Sequence, residues 1–402
     1  MSKPRVLRIA NRFNIGGPTF NVAYLTRYLE NYETKLIGGS LDEGEDSSDY
    51  ILTSLGINPT IVPEMKREID IKEDYKAYLK IREIIREFKP HIVHTHASKP
   101  GAIGRLAAIH EQVPVVLHTF HGHVFHSYFG KAKTLFYKTI ERYLAVRSTR
   151  VIAISEGQAN ELSEEHQICK RDKIALVPLG FDLTKFNEHA EEKRLAFRQT
   201  YGLNDQTIAI CIVGRLVPIK NHGFLIQVIK KLKEETKHPF KLFIVGDGEE
   251  RANIESLILE AGLSYSMDEQ NTADITFTSW IKDVDRVYAG CDIVTLCSLN
   301  EGTPVSLIEA QAAGLPIVST RVGGIQNVVL ENETAFLTAK DDLSAFTSYL
   351  KVLVEQEDKR LAMADKGWEF VKDNFHFTRL VRDMDTLYKK LLLEKGFEMG
   401  IG

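Results

Sequence analysis

The sequence predicts an α/β chain of two doubly wound parallel sheets, and three observations carry that expectation. Short runs rich in Val and Ile alternate with longer segments of helical periodicity, as parallel strands joined by crossover helices require. At roughly 150 residues per domain, a chain of 402 residues has room for two or three domains. Each half also opens with a strand that runs into a glycine turn and then a helix: Arg8 to Thr19 in the first half, Ile212 to Asn221 in the second.

In the first half the expected strands are Val6–Ala10, Lys35–Gly38, Thr60–Val62, His91–His96, Val115–His121, Val151–Ile154 and Ile174–Pro178. Helices are expected at 19–30, 73–88, 100–111 and 131–146. After Pro178-Leu179-Gly180 the pattern changes: residues 185–206 are polar and charged, and a linker is expected near residues 180–190. A second strand series follows at Ile208–Val213, Lys241–Val245, Ile275–Thr278, Ile293–Cys297 and Pro316–Ser319. The last helix, about Thr378–Lys395, is amphipathic, and its pattern leaves open which domain it covers. Ligands of open α/β sheets bind beyond the carboxyl ends of the strands, so two such sheets are expected to face an interdomain cleft with their glycine turns around it.

Composition narrows the function. Hydrophobic residues at 44% and charged residues at 26% describe an ordinary folded protein. A net charge of -4 supplies no global positive field, so nucleic acid is not an expected partner and anion affinity requires a built site. Cys169, Cys211, Cys291 and Cys297 form no CxxC pair and read as small apolar residues in a reducing compartment. The N-terminal apolar stretch is too short for a signal peptide and no run reaches 18 apolar residues, which makes the cytoplasm the expected address.

Several motifs carry chemistry. Gly16-Gly17-Pro18-Thr19 leaves backbone N–H groups free at a helix start, which fits an anion site or an unliganded βα turn. Arg215 and Lys220 follow Gly214 in one loop at a strand's carboxyl end; they suit a diphosphate or are a pair of solvated cations. Gly246-Asp247-Gly248 opens like a dinucleotide loop, but its acidic residues would repel a pyrophosphate, so it reads as a turn before a helix.

The segment Glu301-Gly302-Thr303-Pro304-Val305 leads into an apolar helix that contains Glu309. A carboxylate inside such a helix is costly unless hydrogen-bonded, so Glu309 is expected to face a polyhydroxyl ligand or a cation. With Gly302–Glu309 helical and Pro304 in the first turn, the two carboxylates would lie about 12 Å apart along the axis. That exceeds the roughly 5–9.5 Å between the carboxyls of glycoside hydrolases and suits a grip on two parts of one long ligand.

Eight of the 13 histidines fall within the 36 positions from His91 to His126. A metal site of His121, His123 and His126 would lack an adjacent carboxylate, and hydrogen-bonded strand-end histidines account for most of the group. His121, at the carboxyl end of its strand, suits a neutral imidazole that bonds a sugar hydroxyl and polarises a departing group. Residues 125–150 interleave six basic residues with Phe125, Tyr128, Phe129, Phe136 and Tyr137, against the single acid Glu141. This pattern fits an anionic membrane surface or a helix with its aromatics in the core.

Taken together, Gly16-Gly17, the run His94-Thr95-His96-Ala97-Ser98-Lys99-Pro100-Gly101 with Arg105, Thr119-Phe120-His121-Gly122, Gly214-Arg215 with Lys220-Asn221, Val245-Gly246-Asp247-Gly248 and Glu301-x7-Glu309 resemble glycosyltransferase family 4 over nearly the whole chain. The resemblance implies a GT-B fold of two Rossmann-like domains, 1–188 with 376–402 returning, and 189–375 as the donor-binding domain. It further implies retaining, metal-independent transfer from a nucleotide sugar, with no cofactor. Arg215 and Lys220 would neutralise the leaving diphosphate, Glu309 would hold the ribose, and Glu301 the sugar hydroxyls. The backbone of Gly302, Thr303, Pro304 and Val305 would meet the phosphates, with Gly214 beside the cation loop, Trp280 and Ile281 near the base, Gly16 and Gly17 against the donor, and His121 at the anomeric centre.

A UDP-sugar is expected over a GDP-sugar, with a saccharide or polyprenyl-diphosphate-linked saccharide acceptor in envelope or capsule polysaccharide synthesis. Two other classes share these features: a non-hydrolysing sugar-nucleotide epimerase, which would need no acceptor, and a non-catalytic nucleotide-sugar binder, for which the cations and His121 would be surplus. A dinucleotide dehydrogenase is disfavoured, because no GxGxxG follows the first strand.

Overall fold

The structure is a computed structural model that describes residues 3–13, 17–41, 47–66, 70–121 and 131–397. The chain forms two compact units, Met1–Phe181 with Phe375–Gly402, and Asp182–Asn374. In the first unit the strands are β1 (Arg5–Arg12), β2 (Glu33–Gly39), β3 (Thr60–Ile61), β4 (Ile92–His96), β5 (Val115–Thr119), β6 (Arg150–Ala153) and β7 (Ile174–Leu176). They pair in parallel in the order β3-β2-β1-β4-β5-β6-β7. The second unit repeats the plan with β8 (Ile208–Val213), β9 (Phe240–Val245), β10 (Tyr265–Ser266), β11 (Ile275–Ser279), β12 (Ile293–Leu296), β13 (Ile317–Thr320) and β14 (Ala335–Thr338). Its order is β10-β11-β9-β8-β12-β13-β14, again parallel.

Burial on both faces explains the unbroken apolar strands. Along β1, Val6 enters a core with Leu380, Met384 and Tyr388 of the helix Phe377–Glu394, while Leu7 and Ile9 enter one with Ile81, Ile84 and Ile85 of the helix Ile71–Phe88. Successive strand side chains point to opposite faces, so both faces need apolar residues. The C-terminal helix thus belongs to the first unit. Its buried Leu380, Met384, Tyr388 and Leu391 recur at helical spacing. In the second unit Leu225, Ile226, Ile229 and Leu232 of the helix His222–Glu235 cover Ile208, Ile210 and Ile212 of β8.

Three sequence expectations need correction. Residues 182–188 pack with the second unit, where Phe186 is buried with its ring 5.6 Å from that of Tyr288. The polar run around Phe186 hid that one anchor. Phe375 joins the first unit, where its carbonyl accepts from the Phe181 N–H at 2.8 Å. The second sheet also has two strands more than the five expected, β10 and β14, whose two and four residues are too short for periodicity to reveal.

Candidate active site

Both sheets change direction at a central strand: β1 lies between β2 and β4, and β8 between β9 and β12. In such sheets the crevice beyond the carboxyl ends at the switch point is the ligand site. In the second unit that crevice is built by the loops after β8 and β12. The first turns at Gly214, whose φ of +155 suits glycine, and Lys220 Cε would lie 3.4 Å from a Cβ there. A 3-10 turn, Pro218–Lys220, ends at left-handed Asn221 before the helix His222–Glu235. Two contacts stitch this loop to the β12 end. The Leu299 N–H donates to the Ile219 carbonyl at 2.8 Å, and the Cys297 thiol donates to the Lys220 carbonyl at 3.2 Å.

The stitching brings Lys220 Nζ within 2.6 Å of Glu301 Oε1, and Ser298 Oγ donates to the same oxygen at 2.6 Å. Only 18% of the Lys220 side chain and 12% of the Glu301 side chain are exposed. Arg215, in contrast, is exposed, and among the described residues its guanidinium has no hydrogen-bond or ion-pair partner. The Glu301 backbone is held from behind by the Gly323-Gly324 turn. Gly324 N–H donates to the Glu301 carbonyl at 2.8 Å, and a Cβ on Gly324 would meet the Gly302 carbonyl oxygen at 1.7 Å. Neither Ser298 nor this glycine pair was singled out from sequence, although Gly323-Gly324 directly after a strand is a signal of close backbone approach.

Glu309 lies in the helix Val305–Ala312, with Pro304 as N-cap. Gly302 and Thr303 therefore precede the helix, and the expected first turn at Gly302–Pro304, with the 12 Å axial estimate built on it, does not hold. Proline's missing N–H suits the cap, where no intrahelical donor is needed. Glu309 is half-buried and accepts from the Tyr288 hydroxyl at 3.3 Å. Burial outweighs that bond and the charge of Lys185, and pushes the carboxyl up to about 7. Trp280 stands 61% exposed after β11, beside the half-buried Ile281.

In the first unit Gly17 opens the helix Gly17–Tyr28, and Gly16 lies outside the described residues. β5 ends at Thr119, so His121 stands two residues past the strand and not within it. Its Nε2 is 2.9 Å from Nδ1 of His96, the last residue of β4. Burial depresses the His121 imidazole to about 4 and holds it neutral near pH 7. His123 and His126 lie outside the described residues. Among the described residues no three His, Cys, Asp or Glu side chains converge as metal ligands.

The segment 125–150 is described from residue 131, where the helix Lys131–Arg147 begins. Glu141 is buried in a two-oxygen contact with Arg105, while Leu135, Phe136, Tyr143 and Val146 are exposed. The aromatics of this helix are therefore not all in the core. No described helix is long and apolar enough to cross a membrane.

Two units of this strand order, each with its polar loops at the carboxyl ends of the central strands, define a GT-B glycosyltransferase. Residues 15–185 match the model of Glycosyltransferase Family 4 and residues 193–370 that of Glycosyl transferases group 1. The chain is 30% identical over 375 residues to the UDP-Gal:alpha-D-GlcNAc-diphosphoundecaprenol alpha-1,3-galactosyltransferase of Escherichia coli, covering 91% of each protein. It is 27% identical over 341 residues to the capsular polysaccharide biosynthesis glycosyltransferase CapM of Staphylococcus aureus, covering 83% of this chain and 85% of that one. The crystal structure of a glycosyltransferase from Rickettsia africae superposes with a TM-score of 0.80 at 20% identity, covering 98% of this chain and 99% of that one. Anabaena Alr3699/HepE in complex with UDP gives 0.79 at 16% identity, covering 96% and 100%. The chain belongs to glycosyltransferase family 4.

Proposed function

We propose that the protein transfers a sugar, with retention, from a UDP-sugar to a saccharide or polyprenyl-diphosphate-linked saccharide during envelope or capsule polysaccharide synthesis. The observation that carries this reading is the cluster at the second switch point: Lys220 against Glu301 and Ser298, with the exposed Arg215 on the same loop. Two cations at the carboxyl end of a central strand are suited to a diphosphate that gains charge as it departs. Support for UDP and for the lipid-linked acceptor comes from the Escherichia coli relative, whose name specifies both, and from the UDP held by the Anabaena structure.

In this reading Arg215 and Lys220 neutralise the leaving diphosphate, and no metal or cofactor takes part. The donor phosphate takes the place of Glu301 as the partner of Lys220, and Glu301 turns to the sugar hydroxyls. Glu309 accepts from the ribose, Trp280 and Ile281 flank the base, and Gly214 with the backbone of Gly302–Val305 approaches the phosphates. The first unit contributes Gly16, Gly17 and His121. The acceptor oxygen bonds to the anomeric carbon on the face from which the phosphate oxygen leaves, and that phosphate oxygen takes the acceptor proton.

The test is a thermal-shift panel of UDP, GDP, ADP and their sugar conjugates, followed by transfer assays with the donor found. Selective stabilisation by one uridine conjugate is expected, since a ligand of the folded state raises its apparent stability. Arg215→Ala and Lys220→Ala should each lower turnover by about 100-fold or more. Near-normal turnover in both variants would refute the diphosphate assignment.

The exposed Leu135, Phe136, Tyr143 and Val146, with Arg147 at the same helix, support peripheral attachment to an anionic membrane at its cytoplasmic face. Flotation with anionic vesicles should be lost on replacing both Leu135 and Phe136 by Glu. Equal flotation of variant and parent would remove this part of the reading.

A further inference from the structure

His96 and His121 stand at the carboxyl ends of adjacent strands, where the β4–β5 register sets His96 opposite Thr119. Their rings stack with centroids 5.2 Å apart, and the contact between His96 Nδ1 and His121 Nε2 is 2.9 Å. The outer nitrogens, His96 Nε2 and His121 Nδ1, are both buried without a hydrogen-bond partner. The neighbouring His94 is fully used: Nδ1 meets the Tyr388 hydroxyl and Nε2 meets Thr119 Oγ1, each at 2.7 Å. Burial, with His94 and His121 and the enclosed Arg8 guanidinium as further causes, holds the His96 imidazole well below its ordinary range. Both rings of the pair are therefore neutral near pH 7.

One hydrogen bond between two neutral imidazoles needs one protonated and one bare nitrogen, so only two arrangements exist. If His121 donates from Nε2, the other proton must sit on His96 Nε2, an N–H sealed in the interior without an acceptor. If His96 donates from Nδ1, its own Nε2 is a bare lone pair and the remaining proton sits on His121 Nδ1. Each arrangement leaves one unpaired donor, but only the second puts it on the residue beyond the strand end, where a ligand oxygen can accept it. A permanently unpaired buried N–H is the outcome protein interiors tolerate least.

We propose that His96 is a positioning residue that holds His121 as the neutral Nδ1–H tautomer, so that His121 meets the substrate as a hydrogen-bond donor to oxygen and not as a base. The identity of that oxygen rests on the function proposed above; the tautomer does not. A neutral donor beside the departing group leaves the acceptor proton to the leaving phosphate oxygen.

Long-range 1H–15N correlation spectra of the full-length protein labelled with 15N-histidine report the tautomer directly, with assignments from His96→Asn and His121→Asn. Both rings should carry the proton on Nδ1; protonation of either on Nε2 would overturn the proposal. Turnover gives the second readout. His96→Leu should lower kcat about 100-fold, the scale of a misplaced reacting group, with little change in donor KM. An asparagine carboxamide lies where Nδ1 stood and a glutamine carboxamide where Nε2 stood, so His96→Asn should restore most of kcat and His96→Gln should not. Equal loss in all three variants would reduce His96 to a packing role and overturn the assignment. Absent turnover in a parent protein with the Nδ1–H tautomer intact would count against the transferase chemistry alone.

Discussion

At the scale of single residues, environment more than type decides what a side chain can do. Glu309 and Glu301 are both glutamates near β12, yet Glu301 shares Lys220 and Ser298 while Glu309 has the Tyr288 hydroxyl as its hydrogen-bond partner among the described residues. The Glu309 carboxyl is raised to about 7, above its ordinary 4.5, so the folded state holds its proton more tightly than the unfolded chain. Its stabilising contribution is then complete below about pH 4.5 and is lost as pH rises through about 7. Glu309→Gln removes this dependence. The variant's melting temperature relative to the parent should therefore rise between pH 5 and pH 8, and a flat difference would show that the carboxyl is not raised.

At the scale of elements, the candidate site depends on loops that hold one another. The β8 and β12 loops are joined by Leu299 to Ile219 and by Cys297 to Lys220, and the Gly323-Gly324 turn closes on Glu301 and Gly302 from the other side. A Cβ at position 324 has no room, because the obstacle at 1.7 Å is a backbone oxygen that no rotamer change can move. Gly324→Ala should cost about 1–3 kcal/mol in denaturant unfolding, the range for overpacking a close-fitted position. It should also weaken nucleotide affinity, because Gly302 must shift. An alanine variant with parental stability and affinity would mean that the two turns do not need this approach. In the first unit, burial of Arg105 against Glu141 fixes the helix Lys131–Arg147 on the helix Ser98–His110 and leaves Leu135 and Phe136 outward.

At the scale of the whole molecule, the chain leaves its first unit at Phe181 and re-enters it at Phe375. The two crossings are bonded together, Phe181 N–H to the Phe375 carbonyl at 2.8 Å and Phe377 N–H to the Phe181 carbonyl at 2.9 Å. The returning helix contributes Leu380, Met384, Tyr388, Leu391 and Leu392 to the first core. Ending the chain after Asn374 should therefore strip hydrogen-exchange protection from β1, β4 and β5 while β8, β9 and β12 keep theirs. Uniform loss across both units would contradict their independence.

The sequence by itself determined the two α/β sheets, the strands around the glycine turns and the residue types at the strand ends. Those features follow from local chemistry: apolar runs buried on both faces, glycine where the backbone turns, and charge where no core can accept it. Gly214, Arg215, Lys220, Glu301 and Glu309 were visible for that reason. Only the tertiary structure decided that Lys220 meets Glu301 across 81 positions, that His96 meets His121 across 25, and that Glu141, one of a run of charged helix residues, is buried on Arg105. It likewise decided that Phe186 anchors a polar stretch to the second unit and that the last helix belongs to the first. Periodicity records which face of an element is buried, but contact partners distant in sequence are set by strand order and by the packing of whole elements, which no local pattern encodes.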